Sequence, residues 1–587
     1  MTENTIVENR PQPRRRQPRN QTRLRQPKQT IIKDTLKIIP LGGLDEIGRN
    51  MTVIEYKDDI VIVDMGLQFP EEGMPGIDYI IPNISYLKGK EKNIRGVLIT
   101  HGHYDHIGAI PHLMPKLGNP PIFTAALTRG IILKRQDDFP DAPKLEIHTV
   151  TKNDKIKLGD FEVEFFHVNH NIPDGLGLFI KTPTGSIVHT GDFKFDHSPV
   201  GDEPADISAI ANIGSQNVLC LMSDSCNAEA PGYTISEKNI QENLEGIFKS
   251  APGRIIVATF ASLLTRVQQI ITLSEKYGRK VAIDGYGMRM NVEIAKELGY
   301  LKIEKGTLIQ PKEINNYPEN RVLLMCTGAQ GEGNAVLMRI ANREHQSIEI
   351  QRGDSIVFSS SVVPGNERTV QSLKDILVKQ GAKIYHSPFM DIHASGHGQQ
   401  EDLKMMINLI KPKFFIPVHG NYYMLQLHAE LAESVGIPHE NIVVAGNGKI
   451  IHLTKDKIWM DKTERALTSY VMVDGLGVGD VGQIVLRDRQ AMAKDGMFVI
   501  IVTIDSQNGK VKNSPDIISR GFIYMRESKE LLYEVREKVK SIVHSATGDQ
   551  GPINETYIKE NIRDKIGQFL YNKTQRRPMV LPVVIEV

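Results

Sequence analysis

Apolar positions along the chain first appear in short, β-type runs. From Leu36 they recur as Leu36–Pro40, Met51–Tyr56, Ile60–Asp64 and Val97–Thr100, separated by turns such as Gly42-Gly43 and Gly73–Gly76. Further runs predict strands at Phe161–His167, Gly177–Lys181, Ser186–Thr190 and Val218–Ser223, with a helix at Ala126–Gln136. Strands with sparse helices suit a sheet-on-sheet sandwich flanked by helices. From Ser236 the rhythm becomes α/β. Helices are expected at Ser236–Lys249, Leu263–Tyr277 and Asn291–Leu298, and strands at Arg254–Thr259, Lys280–Asp284 and Arg321–Thr327. Alternating units of this kind imply a mostly parallel sheet. The first texture returns with Ile384–His386, Phe414–His419 and Ile442–Ala445, so the α/β block reads as an insertion into the sandwich. After a linker around Thr454–Thr468 a small α+β unit is expected. Its strands fall near 498–505 and 522–525, its helices at Lys529–His544 and Asn554–Tyr571, and its closing strand at Val580–Glu586.

The resulting division is a tail at 1–34, a first sandwich part at 35–235, an α/β insertion at 236–383, a second sandwich part at 384–455, a linker at 456–480 and a C-terminal α+β unit at 481–587. A length of 587 residues agrees with several domains. The composition, 40% hydrophobic and 24% charged, is that of a globular protein, and no apolar run is long enough to span a membrane. The three cysteines, Cys220, Cys226 and Cys326, show no CxxC spacing. Neither a thiolate zinc site nor a disulfide framework is therefore expected, and a reducing cytoplasm fits.

Charge changes the picture at one end. Residues 1–33 carry nine Lys or Arg and two Glu, within an overall net charge of +1, so the rest of the chain is mildly acidic. The tail is rich in Pro, Gln and Asn and is expected to be disordered. It suits an electrostatic arm for nucleic-acid phosphates and equally a solubilising tail.

The candidate chemistry sits at strand ends. Val97-Leu98-Ile99 runs into Thr100-His101-Gly102-His103-Tyr104-Asp105-His106, which presents three imidazoles and a carboxylate within six residues. Such a set suits borderline divalent ions such as zinc or manganese. Two ions need more ligands, and His170, Asp192 and His419 each follow an apolar strand and precede a turn.

HxHxDH followed by a later His, Asp and His resembles the metallo-β-lactamase pattern, and the inserted block resembles a β-CASP domain. Closer still, residues 35–587 resemble bacterial ribonuclease J. The shared stretches are Pro40–Gly48, Ser223-Asp224-Ser225, Phe260-Ala261-Ser262, Gly331-Glu332, Ser359–Glu367, His393-Ala394-Ser395-Gly396-His397 and Pro417-Val418-His419-Gly420. The resemblance implies an αββα sandwich with an inserted α/β β-CASP domain and a small C-terminal α+β domain. It implies that His101, His103 and His170 hold one ion, that Asp105, His106 and His419 hold the other, and that Asp192 bridges them. Asp64 and Asp224 would orient ligands from behind. Such a pair of cations activates water for attack on phosphorus and stabilises charge developing on the phosphoryl oxygens. His397 and Asp105 are the candidate catalytic residues, His397 as the group that protonates the leaving oxygen or stabilises the transition state. Phe260, Ala261 and Ser262, with His393, Ala394, Ser395, Gly396 and His397, would cradle a 5′-phosphate. Zinc is the expected metal, with manganese as the alternative, and a structural calcium is implied near Asp78 and Asp474.

The resemblance further implies 5′→3′ exonuclease and endonuclease action on RNA, in rRNA maturation and mRNA decay. It implies a homodimer or homotetramer through the C-terminal unit, and partners in RNA-degradation complexes. A catalytically weak paralogue serving as an assembly partner is the alternative, and the filled ligand positions argue against it. A DNA-processing β-CASP enzyme is disfavoured by His419, and a small-molecule hydrolase has no need of the insertion.

Overall fold

The computed structural model describes residues 34–71, 73–363, 365–387, 390–547 and 554–587; the basic tail at 1–33 lies outside them. The apolar runs produce two packed sheets. The first has eight strands, in the order Ile458–Arg465, Lys449–Leu453, Leu36–Gly42, Met51–Tyr56, Asp59–Val63, Ile94–Leu98, Ile122–Thr124 and Ile147–Thr149. The second has six, in the order Phe414–Val418, Cys220–Asp224, Ser186–His189, Leu176–Lys181, Phe161–His167 and Lys155–Leu158. Ile38, Ile54, Val61 and Leu98 of the first sheet share a core with Phe161, Val163, Phe165, Leu178, Met222 and Ile416 of the second. On the outer face of the second sheet, Phe166, Phe179, Leu221 and Phe415 pack against Ile210, Met406 and Ile410 of the helices Ile207–Gly214 and Gln400–Ile410. Each fully buried side chain of this kind stabilises by about 1.5–3 kcal/mol, so the αββα arrangement holds the strand ends rigidly.

The insertion leaves the second sheet after Cys220–Asp224 and returns to it at Phe414–Val418. These two strands are parallel neighbours, with Asp224 opposite Val418. Between them lies a six-stranded sheet in the order Leu308–Ile309, Lys280–Asp284, Val322–Cys326, Ile255–Ala258, Ser355–Phe358 and Lys383–His386, parallel throughout. Ile384–His386, expected to begin the return to the sandwich, thus lies in the edge strand of the inserted sheet, paired with Ser355–Phe358. Two other expectations shift. Ile442–Ala445 makes only an isolated bridge from Ile442 to Phe415, and the strand is Lys449–Leu453. The stretch 456–480, expected as a linker, is built in. Ile458–Arg465 pairs with Lys449–Leu453, and Val471–Asp474 pairs with Tyr79–Ile81.

In the C-terminal unit, Met497–Ile504 lies between Asp516–Arg520 and Met579–Glu586, against the helices Lys529–Thr547 and Glu555–Thr574. The strand expected at 522–525 is Asp516–Arg520 instead. Its alternation buries Ile517 and Ser519 and exposes Asp516, Ile518 and Arg520, and Gly521 at φ 70° ends it.

One buried ion cluster joins insertion and sandwich. Glu237, at the first turn of the helix Glu237–Ser250, accepts from Arg266 Nη2 at 2.7 Å and from Lys194 Nζ at 3.2 Å. Arg266 also donates to the Ile392 carbonyl at 2.7 Å, next to His393. Burial raises the Glu237 carboxyl, but Arg266 and Lys194 overcome it and hold it at about 2. Removing one member of such a cluster costs about 3–5 kcal/mol, because the partners stay buried and unpaired. Glu237→Gln is expected to lower the guanidinium midpoint accordingly at neutral pH. Because the folded carboxyl is depressed, its contribution is complete above the unfolded value of roughly 4.3 and disappears as pH falls through the folded one. The gap between the two proteins in equilibrium melts should therefore close on acidification; equal midpoints at neutral pH would contradict the assignment.

Candidate metal centre

The strand Ile94–Leu98 delivers Thr100–His106 into the cleft, and the neighbouring strand Asp59–Val63 delivers Asp64. Asp64, at φ 60°, accepts from Thr100 N at 2.8 Å, from Thr100 Oγ1 at 3.1 Å and from His106 Nδ1 at 2.8 Å. It therefore braces the histidine loop from below. Gly66 lets this loop approach closely: a Cβ there would lie 1.5 Å from the Asp105 carbonyl oxygen.

The ring nitrogens are oriented consistently. His106 Nδ1 donates to Asp64, and His101 Nδ1 donates to Thr100 Oγ1 at 3.1 Å. His170 Nδ1 donates to the Gly396 carbonyl at 2.7 Å, and His419 Nδ1 to Asp192 Oδ1 at 2.7 Å. In the neutral imidazole of each of the four, the anchored Nδ1–H leaves Nε2 with the free lone pair that ligates metal, so at His106 a cation would take the place of the Nε2 proton.

Two pockets result. In the first, His103 Nδ1 lies 3.1 Å from both His101 Nε2 and His170 Nε2. In the second, His106 Nε2 lies 3.4 Å from Asp105 Oδ2, and His419 Nε2 lies 3.6 Å from the same oxygen. Asp192 Oδ2 stands between the pockets, 3.3 Å from His106 Nε2, 3.6 Å from His101 Nε2 and 3.8 Å from His170 Nε2. Each pocket could hold one cation, with Asp192 common to both.

The electrostatics fit this donor set. Burial, assisted by neighbouring imidazoles, holds His101 and His170 well below the usual histidine range, so both are neutral, as a metal ligand must be. Burial also lowers His103, to about 4. In the second pocket burial opposes charge on His106, yet Asp192, Asp105 and Asp64 raise it well above its ordinary value. Asp105 and Asp192 remain ionised despite burial, held low chiefly by His106. Buried carboxylates in this number require nearby positive charge, which a divalent ion supplies.

The other expected residues are placed as follows. His397 Nδ1 donates to Asp224 Oδ2 at 2.7 Å and lies 4.0 Å from Asp192 Oδ2, at the rim of the pockets. Burial works against its charged form, but Asp224 overcomes it and pushes the imidazole up to about 9. Phe260 and His393 face each other, with ring centroids 6.3 Å apart, so the two expected phosphate-binding segments do meet. Ser395 Oγ accepts from His397 N at 3.1 Å, and Ala394 is buried in the core. Gly396 is required beside the ligand: a Cβ would lie 2.5 Å from His170 Cε1. Asp78, just before the strand Tyr79–Ile81, and Asp474, at the end of the strand Val471–Asp474, are brought near each other: Asp78 accepts from Gly475 N at 2.8 Å and Asp474 pairs with Arg489.

Sequence reasoning missed Asn50. Its Nδ2 lies 3.1 Å from His106 Nε2 and 3.4 Å from both Asp105 Oδ2 and His419 Nε2, inside the second pocket. An asparagine ahead of a strand carries no residue-type signal for such a role.

Comparison with known proteins defines the family. Residues 75–211 match the β-lactamase superfamily domain, 252–377 the ribonuclease J β-CASP domain, 390–444 the Zn-dependent metallo-hydrolase RNA specificity domain, and 484–587 the ribonuclease J C-terminal domain. Ribonuclease J 1 of Streptococcus pyogenes serotype M3 is 42% identical over 93% of this chain and 97% of its own length. Ribonuclease J2 of Bacillus subtilis strain 168 is 38% identical over 94% and 99%. A crystal structure of a protein of unknown function from Enterococcus faecalis V583 shares the fold, with a TM-score of 0.52 and 18% identity over 72% of this chain and 100% of that one. Fold, insertion and ligand cluster define a metal-dependent nuclease of the metallo-β-lactamase superfamily. Within that class the chain belongs to the ribonuclease J family, so its substrate is RNA and it binds divalent metal.

Removing a residue that orients a ligand typically weakens metal binding about 10–100-fold. Asp64→Ala is expected to do so here, read by competition with a chromogenic chelator. Parent-like affinity in a folded Asp64→Ala protein would exclude the bracing role.

Proposed function

We propose that this ribonuclease hydrolyses RNA phosphodiesters with two divalent ions. His101, His103 and His170 would hold one, Asp105, His106 and His419 the other, and Asp192 both. The observation that carries the reading is the Asp192 carboxylate set between the two pockets, with His397 at their rim. A donor set made of imidazoles and carboxylates favours zinc, with manganese as the alternative. When bound, such a pair of ions activates water and offsets charge on the phosphoryl oxygens.

The chain's own groups do the rest. Asp224 keeps His397 protonated at neutral pH, so the imidazole gives its proton to the leaving oxygen. Asp192, buried, and Asp105, half-buried, are both held ionised and fix the sites where positive charge gathers around the scissile phosphate. Phe260–Ser262 and His393–Ser395 bind the phosphate on the 5′ side. A 5′-monophosphate end seated there is cut one nucleotide at a time in the 5′→3′ direction, and an internal phosphate seated there gives endonuclease cleavage. These activities suit rRNA maturation and mRNA decay in the cytoplasm.

Assembly as a homodimer or homotetramer is part of the same reading. The C-terminal sheet turns Ile518, Leu581, Val583, Ile585 and Val587 outward, each about 40% exposed or more, and an apolar face of this kind suits pairing.

The experiment is digestion of end-labelled RNA bearing 5′-monophosphate, 5′-triphosphate or 5′-hydroxyl, with zinc or manganese. Monophosphate RNA is expected to be shortened stepwise from its 5′ end and the other two only cut internally. His397→Ala is expected to lower kcat by about 100-fold or more with little change in KM, as for loss of an acid that acts only in the transition state. Equal stepwise decay of all three RNAs would remove the end-binding assignment. An unchanged kcat in His397→Ala would remove the acid.

A further inference from the structure

Cysteine spacing gives no thiolate site, yet the fold builds a mixed one. Cys226 follows the strand Cys220–Asp224 and lies partly exposed at the cleft, while Cys220 and Cys326 are fully buried. Ligand atoms of Asp224, Cys226, His397 and His419 all lie within 4.8 Å of one another. The loop is well fixed: Cys226 N donates to Asp224 Oδ1 at 2.9 Å, and Ser225 N donates to the His419 carbonyl at 3.3 Å. A thiolate, a carboxylate and an imidazole in this proximity are a donor set for thiophilic divalent ions. His419 belongs to the second pocket already, which leaves Asp224, Cys226 and His397 for a further cation.

We propose that Asp224, Cys226 and His397 form a third, inhibitory cation site that takes a thiophilic divalent ion such as zinc in excess or cadmium. Binding releases the thiol proton of Cys226 and one imidazolium proton of His397 to solvent and forms metal–sulfur and metal–nitrogen bonds, with no change of oxidation state. It also engages His397 and Asp224. His397 can then no longer donate to the leaving oxygen, so occupancy stops cleavage. The site is a direct consequence of a cysteine at this position: a serine or alanine offers no soft donor. The inhibitory effect rests on the role of His397 argued above, whereas the binding itself does not.

The test is cadmium titration of the full-length, manganese-loaded protein, followed by ultraviolet absorbance of the cadmium–thiolate band and, in parallel, by RNA cleavage. The parent is expected to develop the band in proportion to one thiolate per chain. Cys226→Ser and Cys226→Ala are expected to show none, because the remaining cysteines are buried. Both variants should keep basal cleavage and need roughly ten-fold more cadmium or zinc, or beyond, for half-inhibition, the change expected when a bound metal loses one of its ligands. No band in the parent, or the same band in the variants, would overturn the site. A Cys226-dependent band without Cys226-dependent inhibition would keep the binding site and overturn the inhibitory step through His397. Identical inhibition of parent and variants would place metal inhibition at the two main pockets and overturn the inhibitory assignment.

Discussion

Asp192 holds a buried carboxylate among imidazoles. Its Oδ1 accepts from His419 Nδ1 at 2.7 Å, and its Oδ2 faces His106, His101 and His170 at 3.3, 3.6 and 3.8 Å. A charge so placed is costly unless cations or strong donors surround it. The supporting architecture addresses this. Asp64 orients His106, Thr100 orients His101 and the Gly396 carbonyl orients His170, so each free nitrogen lies on the same side as the Asp192 oxygen. Placing the candidate ligands and folding the cleft are therefore one problem: these side chains are set by the ends of strands whose positions the sandwich core determines.

The insertion acts on the same cleft. It leaves and rejoins the second sheet through adjacent parallel strands, ending in Asp224 and Val418, so Asp224 and His419 emerge side by side. On the return path the segment His393–His397 crosses the pockets. There Gly396 fixes His170, and His397 meets Asp224. The buried cluster of Lys194, Glu237 and Arg266 ties that segment to the loop carrying Asp192. The inserted domain and the cleft are thus joined through buried polar contacts, beside an apolar cluster that both domains share.

Much of this is legible in the chain. His101 to His106 are close in sequence, and His170, Asp192 and His419 each close an apolar strand, so residue type and position agree. Asp64 also ends a strand, and the structure places it under the histidine loop. What is not legible has physical causes. Asn50 reaches the second pocket only through tertiary approach. Cys226 meets His397 across the whole length of the insertion, so no spacing rule detects the pair. Ile384–His386 reads as a short β-type run, and which sheet it joins is decided by pairing with Ser355–Phe358. Ile458–Arg465 is polar and exposed along most of its length, as an edge strand is, and so resembles a connection.

The central proposal is that the Asp192 carboxylate is shared by two cations. Counting divalent ions per chain after equilibration in a metal buffer, by elemental analysis of the parent and of Asp192→Ala, addresses it without reference to catalysis. Two ions per parent chain are expected, and fewer than one in the variant, since the substitution removes a ligand from both pockets. A single ion in the parent, or two ions retained by a folded Asp192→Ala protein, would contradict it.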